Sequence, residues 1–283
     1  MVRNITPPPL LATIPKPPEK LFLRGADLAS LLERPRVAIV GSRKVSHYGK
    51  EVTYKLAHDL ARQGIVIVSG LALGIDAIAH QAALDAGGLT IAVLPRGVDK
   101  IYPSSNSSLG TQIIASGGIV LSEHEHAETQ IYKPDFLHRN RLISGLSSAV
   151  IVTEASERSG SLNTAGHAER QGRPVYAVPG NITSPLSGGT NRLIAEGKAT
   201  ALLSAQQILA DLHISGSQQQ KRLTMGDTEA EQAIIDLIQN GISDASELLA
   251  ASGLPAPLFN QTLTMLELKG VIRPLGNNQW GMV

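Results

Sequence analysis

Two stretches decide the fold of this chain: Val37-Ala-Ile-Val40-Gly41-Ser42-Arg43, and Ile65-Val-Ile-Val68-Ser69-Gly70-Leu71-Ala72-Leu73-Gly74-Ile75-Asp76. Each opens as a short, unbroken apolar run rich in β-branched residues, the pattern of a strand buried on both faces of a parallel sheet. Each then breaks into glycine, which lets the backbone turn tightly and approach a ligand. The helix that follows offers N–H groups with no partner of their own. Two such junctions side by side in one sheet would make a phosphate-binding crevice.

Outward from that centre, strand and helix patterns alternate. The spacing predicts strands at Val37–Val40, Ile65–Ser69, Leu89–Leu94, Ile119–Leu121, Ala149–Thr153 and Val175–Val178, with a short one near Thr200–Leu203. It predicts helices at Gly49–Gln63, Ile75–Ala86, Asn106–Ser116, Phe136–Gly145, Ser161–Gln171 and Gly189–Glu196. Repeated βα alternation implies an α/β fold, a doubly wound and mostly parallel sheet with helices on both faces. Ligands of such sheets sit outside the carboxyl ends of the strands, where the strand order reverses.

Four regions follow. Residues 1–20 carry Pro7-Pro8-Pro9 and Pro17-Pro18 and read as an extended segment with little to bury. Residues 21–213 hold the alternating unit. Residues 214–226, with Ser215-Gly-Ser-Gln-Gln-Gln-Lys-Arg222, read as a flexible linker. Residues 227–283 give amphipathic helices at Thr228–Gln239, Asp244–Ala251 and Ala256–Lys269. Two short strands around Gly276-Asn277-Asn278 complete the pattern of a small winged-helix domain.

Composition narrows the function. The 283 residues are 42% hydrophobic, enough for a core, and contain no cysteine, so disulfides and thiolate metal sites are excluded and a reducing compartment is expected. Neither a signal peptide nor an apolar run of about 20 residues is visible, which predicts a cytoplasmic protein without a membrane partner. The net charge of +1 hides an asymmetry: from Asp227 onward seven acids face two bases, giving −5 and leaving +6 for the rest. A polyanionic partner is therefore expected on the first unit. Aromatic residues make up only 3%, so contact with the phosphate backbone should dominate over base stacking.

Gly41-Ser42-Arg43 supplies a close-approach glycine, a hydroxyl donor and a guanidinium able to grip a phosphate; an ordinary βα turn with a surface arginine fits the tripeptide equally. Ser69 to Asp76, with Gly70 and Gly74 four apart, resembles a nucleotide-binding loop, but neither the dinucleotide fingerprint nor a P-loop is present. Arg139-Asn140-Arg141 lies in a segment apolar enough to be packed. Its arginines either face a cavity or an anion, or pair with Glu154 or Glu123. The segment from Glu154 ends in the small-residue cluster Ser159-Gly160-Ser161, suited to a helix start. Lys100 and Tyr102 offer a charge and a stacking face, with a plain surface loop as the alternative. Ser69, Asp76 and His80 do not make a triad, because Asp76 and His80 lie one turn apart and no nucleophile elbow is present. His124-Glu125-His126 lacks a third ligand. No catalytic residue, metal or cofactor is expected.

Assembled in order, these motifs resemble the DNA-processing protein A family, also called Smf, over roughly Leu21 to Leu212. The resemblance rests on Gly-Ser-Arg with Tyr48-Gly49, the Ser69–Asp76 loop with Ala79-His80, and Thr90-Ile-Ala-Val-Leu leading to Tyr102-Pro103 and Asn106. It continues through Arg139-Asn-Arg-Leu-Ile-Ser-Gly-Leu-Ser147, Glu154–Gly160 and Val178-Pro-Gly180. It implies an extended Rossmann-like core that binds single-stranded DNA as a homodimer, protects incoming DNA during natural transformation and loads the RecA recombinase, without enzymatic activity. The positions expected to meet DNA are Gly41, Ser42, Arg43, Ser69, Gly70, Ala72, Gly74, Lys100, Tyr102, Asn106, Arg139, Asn140, Arg141, Ser159 and Gly160. Candidate dimer surface lies at Leu193, Ile194, Leu202, Leu203, Ile208 and Leu209, although most of that stripe is expected to pack inside the protomer.

Two departures stand out. The small helical domain that many members carry before the core is not expected here, given the short stretch ahead of it, and Pro95-Arg96-Gly97 replaces a smaller, glycine-rich turn. Arg96 is therefore either an extra phosphate contact or an altered pocket wall. The acidic winged helix suits a protein contact or a regulatory role better than DNA. Two rivals remain: a nucleotide-processing enzyme of the LOG phosphoribohydrolase type, whose Pro-Gly-Gly-x-Gly-Thr-x-x-Glu motif is missing, and a winged-helix regulator that senses a nucleotide.

Overall fold

The computed structural model describes residues 2–127, 132–213, 228–276 and 278–282. They fall into two compact units, Met1–Ser217 and Gln218–Val283. The linker expected at 214–226 lies outside the described residues.

The first unit runs β1 (Arg3–Ile5), α1 (Pro9–Ala12), β2 (Leu21–Gly25), α2 (Leu28–Leu32), β3 (Arg36–Val40), α3 (His47–Arg62), β4 (Val66–Ser69), α4 (Ile75–Asp85), β5 (Thr90–Val93), a short 3₁₀ turn (Ser104–Asn106), α5 (Ser107–Ala115) and β6 (Ile119–Ser122). It continues with α6 (Lys133–Gly145), β7 (Ala149–Val152), α7 (Ser161–Arg170), β8 (Val175–Ala177), α8 (Gly188–Ala195), β9 (Thr200–Ala201) and α9 (Ala205–Asp211). Nine strands form one sheet in the order β1-β2-β6-β5-β4-β3-β7-β8-β9. The seven from β3 onward are mutually parallel, while β2 runs antiparallel to β6 and β1 antiparallel to β2. The chain moves one way from β3 to β6 and then restarts on the other side of β3 with β7. The switch point therefore lies at β3, where the loops after β3 and β7 diverge.

Alternation along the strands splits the core in two. Ala38, Val40, Val66, Val68, Val150 and Val152 face α6 and α7, and Val37, Ile39, Ile67, Ala149 and Ile151 face α3, α4 and α9. A third cluster under α5 holds Phe22, Ala92, Leu94, Val120 and Ile113.

The first twenty residues depart from the expected extended segment. β1 and β2 close one edge of the sheet, and Leu11 and Ile14 are buried in the core beside Leu142 and Leu146. The prolines do not oppose this, because Pro9 stands at the first position of α1, where its missing N–H has no partner to lose. Gly145 of α6 gives Leu11 its room: a Cβ there would lie 2.8 Å from Leu11 Cδ2. Of the proposed dimer positions, Leu202 and Ile208 are core residues and Leu193, Ile194 and Leu209 pack half-buried against it. Leu203 is 83% exposed.

In the second unit α10 (Glu229–Gln239), α11 (Ala245–Ser252) and α12 (Ala256–Leu268) precede an antiparallel ribbon of β10 (Ile272–Gly276) and β11 (Gln279–Met282). Ile234, Ile235, Leu248, Phe259, Leu263, Leu266 and Ile272 form its core. This is a winged helix. Thr228 and Asp244 cap the first two helices by accepting from backbone N–H groups. The third helix has no basic residue and exposes Leu258, Met265 and Leu268.

Candidate nucleic-acid interface

The loop after β3 is stitched to both of its neighbours. The Ser42 N–H donates to the Glu154 carbonyl at 2.7 Å, in the loop after β7, and the Ser42 carbonyl accepts from the Ile75 N–H at 3.1 Å, at the start of α4. Gly41 lies between them, where a Cβ would come within 2.5 Å of Ile75 and 2.8 Å of the Glu154 carbonyl. Arg43 and Lys44 leave this anchored turn into solvent. Arg43 lays its guanidinium over the Phe136 ring, 4.7 Å from the centroid, a cation–π contact that orients it.

Beneath this rim is a cavity of about 610 Å³. One wall is Gly41, Ser42, Arg43 and Lys44, and the opposite wall is the start of α7 with Ser156, Ser159, Gly160, Ser161 and Thr164. The first turn of α7 has no acidic residue and no side-chain cap, so the positive end of that helix faces a hydroxyl-lined space. Asp76, Arg139 and Asn140 close the floor. A second cavity of about 60 Å³ adjoins the first through Arg43, Ala72 and Phe136, and is walled by Gly70, Leu73, Pro95, Tyr102 and Pro103. Tyr102 and Phe136 stand 6.0 Å apart with rings tilted by 55°, and the Arg96 guanidinium lies 5.7 Å from the Tyr102 centroid.

The start of α3 and the glycine loop before α4 are satisfied by carboxylates and hydroxyls of the chain itself. At α3, Ser46 accepts from the Gly49 N–H, and the buried Glu154 carboxylate accepts from the Ser46 N–H at 2.9 Å and the Ser46 hydroxyl at 2.5 Å. In the second glycine junction the Asp76 carboxylate accepts from the Gly70 N–H at 3.1 Å and the Ala72 N–H at 3.4 Å. Arg139, also buried, donates to the Gly70 carbonyl at 2.8 Å and to the Val93 carbonyl. Burial raises the Asp76 pKa against the opposing pull of Arg139, and burial lowers Arg139 to about 10 while Asp76 holds it up.

Of the expected residues, Gly41, Ser42, Arg43, Ala72, Arg139, Asn140, Ser159 and Gly160 line the large cavity, and Gly70 and Tyr102 line the small one. Five lie elsewhere. Ser69 is buried and donates to the Ile39 carbonyl. Gly74, at φ +78°, is pressed against the Ser42 carbonyl and shapes the loop from behind. Asn106 braces that loop through the Leu71 and Ala72 carbonyls. Lys100 is exposed and lines neither cavity. Arg141 is buried in a bidentate pair with Glu123, at 2.6 and 2.7 Å, and donates to the Lys16 carbonyl. Pairing with Glu123 thus accounts for Arg141, whereas Glu154 belongs to Ser46. His80 is wholly buried, with Nδ1 2.6 Å from the Thr90 hydroxyl, far from the role of a catalytic base. Lys44, Phe136, Ser161 and Thr164 also line the large cavity and were not among the positions expected to meet DNA. Phe136 had a signal, since it opens the helical pattern that carries Arg139 and Arg141.

A doubly wound, mostly parallel sheet with a cation-rimmed, hydroxyl-lined cavity at its switch point defines a protein of the Rossmann-like class. The family model for DNA recombination-mediator protein A matches residues 4–213, and that for the DprA winged helix domain matches residues 218–278. The chain belongs to the DNA recombination-mediator protein A family of DNA-processing proteins. It is 46% identical to the DNA processing protein DprA of Bacillus subtilis over 71% of this chain and 67% of that one. It is 43% identical to the protein Smf of Escherichia coli over 73% of this chain and 54% of that one, so it spans about half the length of that relative. Its structure is similar to that of DNA processing protein A from Helicobacter pylori, described for its single-stranded DNA binding mode. That likeness has a TM-score of 0.67 and 37% identity, and covers 75% of this chain and 95% of the other. The Streptococcus pneumoniae protein matches with a TM-score of 0.67 and 42% identity over 74% of each chain.

Proposed function

We propose that this protein binds single-stranded DNA in the crevice between the β3 and β7 loops, largely without regard to sequence. We further propose that it acts in the cytoplasm as a homodimeric recombination mediator, protecting incoming DNA and helping to load RecA during natural transformation. The observation that carries the binding reading is Arg43 stacked on Phe136 at the mouth of the hydroxyl-lined cavity. One side chain there presents charge to a phosphate while the ring beside it, with Tyr102, offers a face to an unstacked base. A duplex keeps its bases stacked inside and has no use for that face. The relative from Helicobacter pylori supports the choice of ligand, and membership of the family supports the mediator role. Leu203 is the exposed apolar anchor for the dimer, and its exchange for a charged residue would be duplicated across a two-fold axis.

A gel shift at graded salt comparing single-stranded DNA, duplex and free nucleotides tests the binding. Four to six phosphate contacts, at about 0.7 per contact for single strands, give a log–log slope near −3 to −4. A slope near zero, or equal affinity for duplex, overturns the reading.

A further inference from the structure

In dinucleotide-binding sheets the amides of the glycine loop after a central strand hold a pyrophosphate at the start of the next helix. The loop after β4 has the glycines and the helix for that task, yet its amides point at a carboxylate of its own chain. Asp76, in the first turn of α4, accepts from both the Gly70 and Ala72 N–H groups and is itself 6% exposed at the floor of the large cavity. The loop is held in this state from two further directions. Arg139 fills the space where a Cβ of Gly70 would stand, 2.5 Å from its guanidinium nitrogen, and Gly74 is pressed onto the Ser42 carbonyl. Asp76 also neutralises Arg139, so the floor carries no net charge and the cavity's uncompensated cations are at its rim, on Arg43 and Lys44.

We propose that Asp76 is a built-in anion that occupies the glycine-loop amides, so that the crevice accepts a single phosphate of a strand at its rim and refuses the di- and triphosphates of free nucleotides. The inference concerns the crevice assigned above to single-stranded DNA and rests on that reading for its ligand. Its test does not need DNA. The specificity follows from geometry: a pyrophosphate requires two adjacent anion positions, and the second is filled by the protein.

Calorimetric titration of the full chain with inorganic pyrophosphate and with ADP is the direct measurement. The native protein should show no saturable binding up to about 10 mM, because the junction is self-liganded and the remaining attraction is that of a single exposed rim. Asp76→Ala frees the amides and leaves Arg139 uncompensated, and should bind pyrophosphate at least tenfold more tightly than native. Asp76→Asn keeps an acceptor oxygen but loses the charge, and should fall between the two. Should Asp76→Ala fail to fold, Asp76→Asn and the native titration still decide. Native protein binding pyrophosphate or ADP saturably below 1 mM, or a folded Asp76 variant with unchanged anion affinity, overturns the proposal. A parallel titration with single-stranded DNA separates the two readings, since loss of DNA binding in the native protein removes the proposed function and leaves the pyrophosphate result standing.

Discussion

The two glycine-rich junctions look alike in sequence and end in opposite states. After β3 the turn is tied to its neighbours through backbone hydrogen bonds and closed by the Ser42 hydroxyl, which accepts from the Lys44 N–H, and the side chains of Arg43 and Lys44 are left exposed. After β4 the turn is held by side chains, Asp76 on its amides and Arg139 on its carbonyl, and it gives nothing to a ligand except its outer surface. In this chain the glycine loop after β4 has its amides engaged by a carboxylate of its own helix, and the loop after β3 does not. The difference also assigns energies: interactions of the closed junction should register as stability, and those of the open one as binding.

The largest effect should come from breaking the closed junction. Arg139→Ala leaves Asp76 buried without its counter-charge and the Gly70 and Val93 carbonyls without their donor, and should lower the unfolding free energy by about 3–5 kcal/mol in chemical denaturation. A loss below 1 kcal/mol would mean that the pair is not a structural element.

At the open junction Arg43→Ala should do the converse. Single-strand affinity should fall by roughly 1.5–3 kcal/mol, the range of a charge-assisted contact, while the melting temperature stays within a few degrees because the side chain is exposed. Unchanged DNA affinity in the folded variant would reduce Gly-Ser-Arg to a turn.

His80, on the helix that follows the closed loop, sharpens the contrast through pH. Burial lowers its pKa to about 3, and its Nδ1 pairs with the Thr90 hydroxyl. The folded value lies below the unfolded one, so the unfolded chain binds the proton first. Stability is fully present above about pH 6.5 and is lost as pH falls toward 3, at up to about 1.4 kcal/mol per pH unit. Urea titrations between pH 7 and 5 should show that slope for native protein and a flatter one for His80→Asn. Identical slopes would contradict a neutral, buried His80.

The smallest effect is expected from removing Asp227–Val283. That segment carries −5 against +6 for the rest, and its third helix has no base with which to grip a phosphate. Single-strand affinity at matched salt should change by less than tenfold; a greater loss would move the DNA site to the winged helix.

What could be read from the sequence divides along the same line. The parallel strands were legible because a strand buried on both faces is apolar nearly throughout, and β3 through β8 announce themselves that way, whereas the short edge strand β9 is not buried. β2 was hidden, although Leu21, Phe22 and Leu23 form such a run, because it lies outside the βα alternation and joins the sheet antiparallel to β6. Leu11 and Ile14 were masked by the prolines around them. At the site, Arg43 was legible from its place after a strand. The internal anions were not: Glu154 lies 108 residues from the Ser46 that it holds, and no local pattern distinguishes an aspartate that binds its own loop from one facing solvent. Phe136, a single aromatic followed by Leu137 in a helix, reads as core until the fold sets it under a guanidinium.

The edge formed by β1 and β2 has a consequence for how the molecule is made. Synthesis runs from the N-terminus, so Leu21–Gly25 leaves the ribosome long before Ile119–Ser122, the strand it pairs with, and Leu11 waits longer still for the helix that contains Gly145. These apolar residues are thus among the last to be covered, and they stay without their partners while β3, β4 and β5 emerge. Non-local pairing of this kind is slow to close and leaves sheet edges open to other chains meanwhile. A nascent chain therefore passes through a stage in which the segment before β3 is its stickiest part.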